Sequence, residues 1–229
     1  MKRIFVFFTI FFVVVLWADA QKNTFKPELY IGAGGGYMFA KVDFQPKVSQ
    51  VMKNGVAGGI SAKYISEKYL GLLVEVNFAQ RGWKESFDAN SDYAYTRTLN
   101  YLEIPFMTHV YAGNKVRFIF NIGPQIGILL GSSSDMSQAL KEYVDAQTAS
   151  AEEGEPIPEQ RYDEANKKFD YGIIAGTGLQ FKTGIGDFDL EGRYYFGLGD
   201  VFNNTVSDYY SRSAHRVIEA KLTYYIKIF

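Results

Sequence analysis

Four glutamates, Glu75, Glu103, Glu191 and Glu219, interrupt otherwise apolar stretches of this chain, together with Arg117, Arg193 and Lys221. Carboxylates confined in a narrow space do not stay charged without cations beside them. The seven residues are therefore expected to form a satisfied ion network that fills an enclosed lumen, with Arg193 and Lys221 reaching across it. A gated ion path or a catalytic carboxylate pair is the alternative, because Glu75 and Glu103 sit on neighbouring segments and are expected to lie close. Ser213 and His215 share a strand face, and with Asp208 they resemble the parts of an activated nucleophile. A single Ser-x-His is common by chance in a polar stretch, so lipid hydrolysis is only a minor alternative. His109 lies far from that group and is expected to be an interfacial polar residue. The chain has no cysteine and two separated histidines. No disulfide, thiolate chemistry, metal or cofactor is expected.

The elements that must hold these residues show strict period-two alternation. In Leu70–Arg81, Leu70, Leu72, Val74, Val76 and Phe78 oppose Gly71, Leu73, Glu75, Asn77, Ala79 and Arg81. Tyr101–Val110, Arg117–Leu130, Phe188–Leu198 and Val217–Ile228 alternate in the same way. Leu29–Phe39, Val56–Ile65 and Phe169–Phe181 are weaker and rich in glycine. Those glycines would make room for the long charged side chains. The total is eight strands. Short connections (Ser66–Tyr69, Gly113–Lys115, Lys182–Asp187) alternate with long ones (about 40–55, 82–98, 131–168 and 199–214). This is the pattern of an all-β, eight-stranded antiparallel up-and-down transmembrane β-barrel. A strand of about ten residues tilted by about 45° covers roughly 23 Å, close to the apolar band of such barrels. Tyr37, Phe39, Phe78, Phe118, Phe188 and Tyr224 stand where an aromatic girdle would lie. A soluble sandwich or lipocalin-like barrel would bury the bulky faces and leave glycine facing water without reason.

The start of the chain reads as a leader. Lys2 and Arg3 precede an apolar run, Ile4–Leu16, and Ala18-Asp19-Ala20 offers a cleavage box. Residues 1–20 are expected to be a signal peptide and 21–229 the barrel domain. Without Lys2, Arg3 and Asp19 the net charge is −2, which argues against nucleic acid as a partner.

Tyr101-Leu102-Glu103-Ile104-Pro105 resembles the Y-L-E-I-P signature of the PorT-like small outer-membrane β-barrel family. Phe120–Gly127, Phe169–Gly178 and Arg193–Leu198 are similar to that family's later strands. The resemblance extends over nearly all of residues 21–229. It implies an integral protein of the Gram-negative outer membrane; the even strand number and the alternation of short turns with long loops put both termini in the periplasm and the long loops outside. It implies function poorly, since some members resemble a secretion component. Phe229 is terminal, but Lys227 breaks its face, so the barrel-insertion machinery is expected to read Ile226 and Ile228 instead.

The third long loop, 131–168, is acidic. A helix is expected at Asp135–Gln147 capped by Ser134 or Asp135, and Glu152–Pro158 reads as flexible. The loop is expected to be a solvated surface, with docking of a partner or of divalent cations as the alternative. No peptidoglycan-binding domain is expected after the last strand. The overall expectation is a non-enzymatic outer-membrane protein with a structural, surface-recognition or secretion-accessory role. A small porin is the runner-up. Expected partners are outer-membrane lipid and lipopolysaccharide, the insertion machinery and possible secretion-machinery proteins.

Overall fold

The structure is a computed structural model that describes residues 25–151, 157–165, 167–205 and 208–229. The expected leader and residues 152–156 of the acidic loop lie outside these. The described elements are β1 (Glu28–Gln45), β2 (Gln50–Val51), β3 (Lys53–Glu67), β4 (Leu70–Glu85), β5 (Tyr95–Gly113), β6 (Val116–Met136), α1 (Gln138–Ser150), a 3-10 helix (Pro158–Tyr162), β7 (Phe169–Thr183), β8 (Gly186–Asp200) and β9 (Arg212–Lys227). Neighbouring long strands pair antiparallel in chain order, β9 pairs with β1, and the β4–β5 pairing completes a closed ring of eight. The two-residue β2 only lengthens the edge of β4.

The stagger of the ring follows from its register. Leu29 pairs with Tyr64, then Leu72, Thr108, Ile122, Ala175, Tyr194 and Ile218, and the path returns to β1 at Phe39. It comes back ten residues from where it started (29 to 39). For eight strands a shift of that size corresponds to a tilt of about 43°.

Closure satisfies the backbone, and each strand's alternation then sorts its side chains between lipid and lumen. Ile60, Phe106, Phe118, Ile126, Tyr171, Leu190 and Leu222 point outward and are exposed, whereas Glu75, Arg81, Arg193 and Lys221 are buried inside. Three connections are two-residue turns at one end of the barrel, and residues with positive φ flank or form them: Tyr69, Gly113 and Gly186. The long loops gather at the other end.

Two expectations are corrected. The strands run 15 to 21 residues, so they project well past the roughly 25 Å apolar band, and much of what reads as loop is strand. The helix begins at Gln138 rather than Asp135, because β6 continues to Met136 and Ser137 takes the cap. The Ser137 hydroxyl accepts from the Leu140 amide at 3.4 Å and from the Ala94 amide at 3.0 Å, which ties the helix start to the segment entering β5.

Candidate functional site

The lumen is packed in layers. At the centre Arg193 on β8 donates to both oxygens of Glu75 at 2.8 and 2.9 Å, and to Glu191 at 2.7 Å. Lys221 on β9 donates to Glu75 at 2.6 Å and to Asn77 at 3.0 Å. Glu191 also accepts from Asn121 at 2.8 Å, and Glu219 stands 4.0 Å from Arg193. The neighbouring strands leave space for these groups by carrying glycine. A Cβ on Gly176 would lie 2.2 Å from a Glu191 oxygen, and one on Gly36 2.8 Å from a Glu219 oxygen.

Glu103 belongs to a second layer. Arg81 donates to Glu103 and to Asp170 at 2.5 Å each, while Tyr195 donates to Asp170 at 2.9 Å and Gln125 to Glu103 at 3.2 Å. Glu75 and Glu103 therefore do not form a carboxylate pair. The β4–β5 register sets Asn77, not Glu75, opposite Glu103, and each acid takes its own arginine. Arg117 also stands apart from the central network. It lies over the Tyr111 ring at 4.4 Å and reaches Gln180 at 3.4 Å. A third layer near the short turns joins Lys63 to Asp189 at 2.8 Å, with Lys63 also over the Tyr225 ring.

Arg81, Asp170, Lys63 and Asp189 are not among the expected site residues. Their signal is present in the sequence, since Arg81 shares a face with Glu75 six residues away and Asp189 shares one with Glu191. His109 is corrected from an interfacial position to a lumen one: it is buried, bonded to Asn121 at 2.7 Å and stacked on Tyr111.

The alternative nucleophile group does not assemble. The Ser213 hydroxyl accepts from the Phe202 amide at 3.0 Å, and His215 Nε2 meets the Tyr101 hydroxyl at 3.3 Å. Nδ1 of His215 has no partner among the described residues. Asp208 is held by Thr205 and Gln160. No carboxylate among the described residues orients the imidazole, and the serine hydroxyl is committed to the backbone. Among the described residues no acidic, histidine or cysteine group converges as a metal site.

Aromatic side chains fill much of the long-loop end among the described residues. Phe44, Trp83, Tyr95, Leu99, Phe202 and Tyr210 form a buried cluster that includes Leu140 of α1. Phe44 packs against Trp83 at 5.3 Å and Tyr210 at 4.9 Å. Charged clamps hold the acidic loop over it. Arg97 donates to the carbonyls of Tyr162 and Asp163 at 2.6 Å each. Arg161 donates to Glu85 at 2.9 Å, and the Tyr162 hydroxyl donates to the same carboxylate at 3.0 Å. Burial raises the Tyr162 phenol above its usual range, and Glu85 adds to the shift. Burial likewise raises Tyr210. Below the cap, the void between Arg81, Glu103, Gln125, Arg193 and Glu219 is ≈ 10 Å³, about one water's worth of space.

Residues 19–203 match the outer membrane protein beta-barrel domain family, and the chain belongs to that family. It is an integral β-barrel protein of the outer membrane. No curated protein matches it. Among solved structures it is similar to Ail, the attachment invasion locus protein of Yersinia pestis, solved in complex with the heparin analogue sucrose octasulfate. That match has 13% identity and a TM-score of 0.44, covering 88% of this chain and 100% of that one. It is also similar to Neisserial surface protein A, at 15% identity and a TM-score of 0.45, covering 89% and 100%. OprG from Pseudomonas aeruginosa matches at 8% identity and a TM-score of 0.44, covering 87% and 93%.

Proposed function

We propose that this protein is a non-enzymatic barrel whose plugged body carries a surface: a structural, surface-recognition or secretion-accessory protein of the PorT-like kind. The observation that carries this reading is the filled lumen. Among the described residues three layers of ion pairs occupy it and an aromatic cluster covers one end, which favours a filled body over a diffusion path. What differs from a plain membrane anchor is the ordered assembly at the long-loop end, and function on a rigid scaffold usually resides in its loops. In this reading residues 1–20 are removed on export, the termini lie in the periplasm and the loops face outside.

The test is in-cell cross-linking of the tagged protein, followed by mass spectrometry of what co-purifies. Secretion-machinery proteins linked to the short turns or to loop 131–168 would make it an export accessory. Lipopolysaccharide and abundant envelope proteins alone would make it a structural or recognition barrel. Orientation is read separately, with single cysteines placed in the otherwise cysteine-free chain. Labelling of intact cells at Gln147, and not at Asn114, is the expected result.

A further inference from the structure

The outer wall is asymmetric in charge. Among the described strand residues that point outward, the charged ones are Lys41, Asp43, Lys84, Asp135, Asp200, Arg212 and Arg216 at the long-loop end and, past a bulge at the short-turn end, Glu67 alone. Three of the four cations gather on adjacent strands. Lys41 pairs across from Arg216, Gln45 across from Arg212, and Phe196 across from Arg216. Arg216 is fixed: its guanidinium lies 3.7 Å from the Phe196 ring centre and donates to the Gly197 and His215 carbonyls at 2.8 Å, and to Asp43 at 3.1 Å. Arg212 reaches the same Asp43 at 3.5 Å and is part-exposed. Lys41 is exposed and has no ion-pair partner among the described residues. Asp200, at the edge of the patch opposite Ala214, is committed to the Ser213 amide and to Asn204. The patch thus carries three cations against two acids. It sits directly above the lipid-facing Phe39 and Ile218, with the exposed Phe196 ring beside Arg216.

Below it the wall is hollowed. Gly192 lies beside Ala220, and Gly35 beside Gly58. In the lumen, neighbours crowd Gly36 and Gly176, but a Cβ on Gly192 would meet nothing within 4 Å and one on Gly58 or Gly35 only a carbonyl at 3.5 or 3.4 Å. Packing within the protein does not require glycine at these outward positions, so the furrow is available to a molecule outside the wall.

We propose that this face of β8, β9 and β1 binds one phosphorylated glycolipid of the outer leaflet. Lys41 and Arg212 hold its phosphate, Arg216 and Asp43 fix the patch, and an acyl chain lies in the furrow. The leaflet assignment rests on the outward orientation of the loops; the binding itself does not.

The test uses the refolded protein in nanodiscs of phosphatidylcholine doped with bisphosphorylated lipid A or with its dephosphorylated form, and native mass spectrometry of retained lipid. Preferential retention of the phosphorylated form is expected. Lys41→Gln with Arg212→Gln should weaken it by about 30-fold, from about fivefold per basic residue near a charged surface. Excess inorganic phosphate should not displace the lipid. Equal retention of both lipids, an unchanged double variant, or full displacement by inorganic phosphate would each overturn the proposal. Gel mobility of the unheated variant checks that it is folded, and Gly192→Val, whose Cβ meets no atom within 4 Å among the described residues, should reduce retention independently of charge. None of these readouts depends on orientation in the cell, so a failure here leaves the labelling result intact.

Discussion

Replacing Arg193 by methionine tests whether the central layer is held by charge balance. Arg193 makes three charge-assisted bonds, two to Glu75 and one to Glu191. After its removal Glu75 keeps Lys221 at 2.6 Å, so that pair stays neutral. Glu191 loses its directly bonded cation and keeps only the uncharged Asn121, so it is the acid left most uncompensated; Glu219, 4.0 Å from Arg193, loses only a longer-range partner. Stranding a buried charge costs about 3–5 kcal/mol, and the low end applies because Glu75 remains paired. Adding Glu191→Gln removes the stranded charge, and the carbonyl oxygen of the new side-chain amide can still accept from Asn121. The double variant should therefore recover more than half of the loss, a coupling expected of residues in one network. The assay is urea unfolding in lipid vesicles, followed by gel mobility and by the fluorescence of Trp83, the single tryptophan of residues 21–229. A loss below about 1 kcal/mol in the single variant, or a double variant no better than the single, would refute the reasoning.

Other outcomes follow from the same geometry. Gly176→Val pushes a branched side chain into Glu191 and Arg193 and should cost about 1–3 kcal/mol as overpacking, read in the same unfolding assay. Arg97→Ala frees the 157–165 segment from two carbonyl contacts, so limited trypsin should cut after Arg161 or Lys167 faster than in the parent while the barrel stays intact. The raised Tyr162 and Tyr210 phenols favour the protonated form in the folded cap. Their contribution is full below the ordinary tyrosine value of about 10 and is lost as pH rises above it toward the folded values. Trp83 fluorescence should accordingly report loosening of the cap above about pH 10, and Tyr162→Phe should blunt that change.

The barrel wall was legible because two solvents act on it. Lipid outside selects Leu72, Val76 and Phe78, while the lumen takes Glu75, Asn77 and Arg81, so period two is written plainly along β4. The pairing across the lumen was less legible. Which arginine meets which acid depends on the ten-residue stagger, and alternation does not encode that stagger. That is why Glu75 and Glu103, adjacent by strand order, separate into different layers. The cap was not legible at all. Phe44, Trp83, Tyr95 and Tyr210 lie where strands leave the membrane, and outside lipid the outward face turns polar, as at Lys84, Thr96 and Thr98. The apolar half of the pattern then disappears and the strand ends look like loop. His109 was misplaced for a related reason: a lone polar residue near a strand end looks interfacial unless its face is followed back to Glu103.

Single-channel recording in planar bilayers tests the plugged barrel most directly. Three ion-paired layers and an aromatic cap predict no stable conductance from the refolded protein. A stable, ohmic step carried by the parent protein would contradict the account and make the lumen a path.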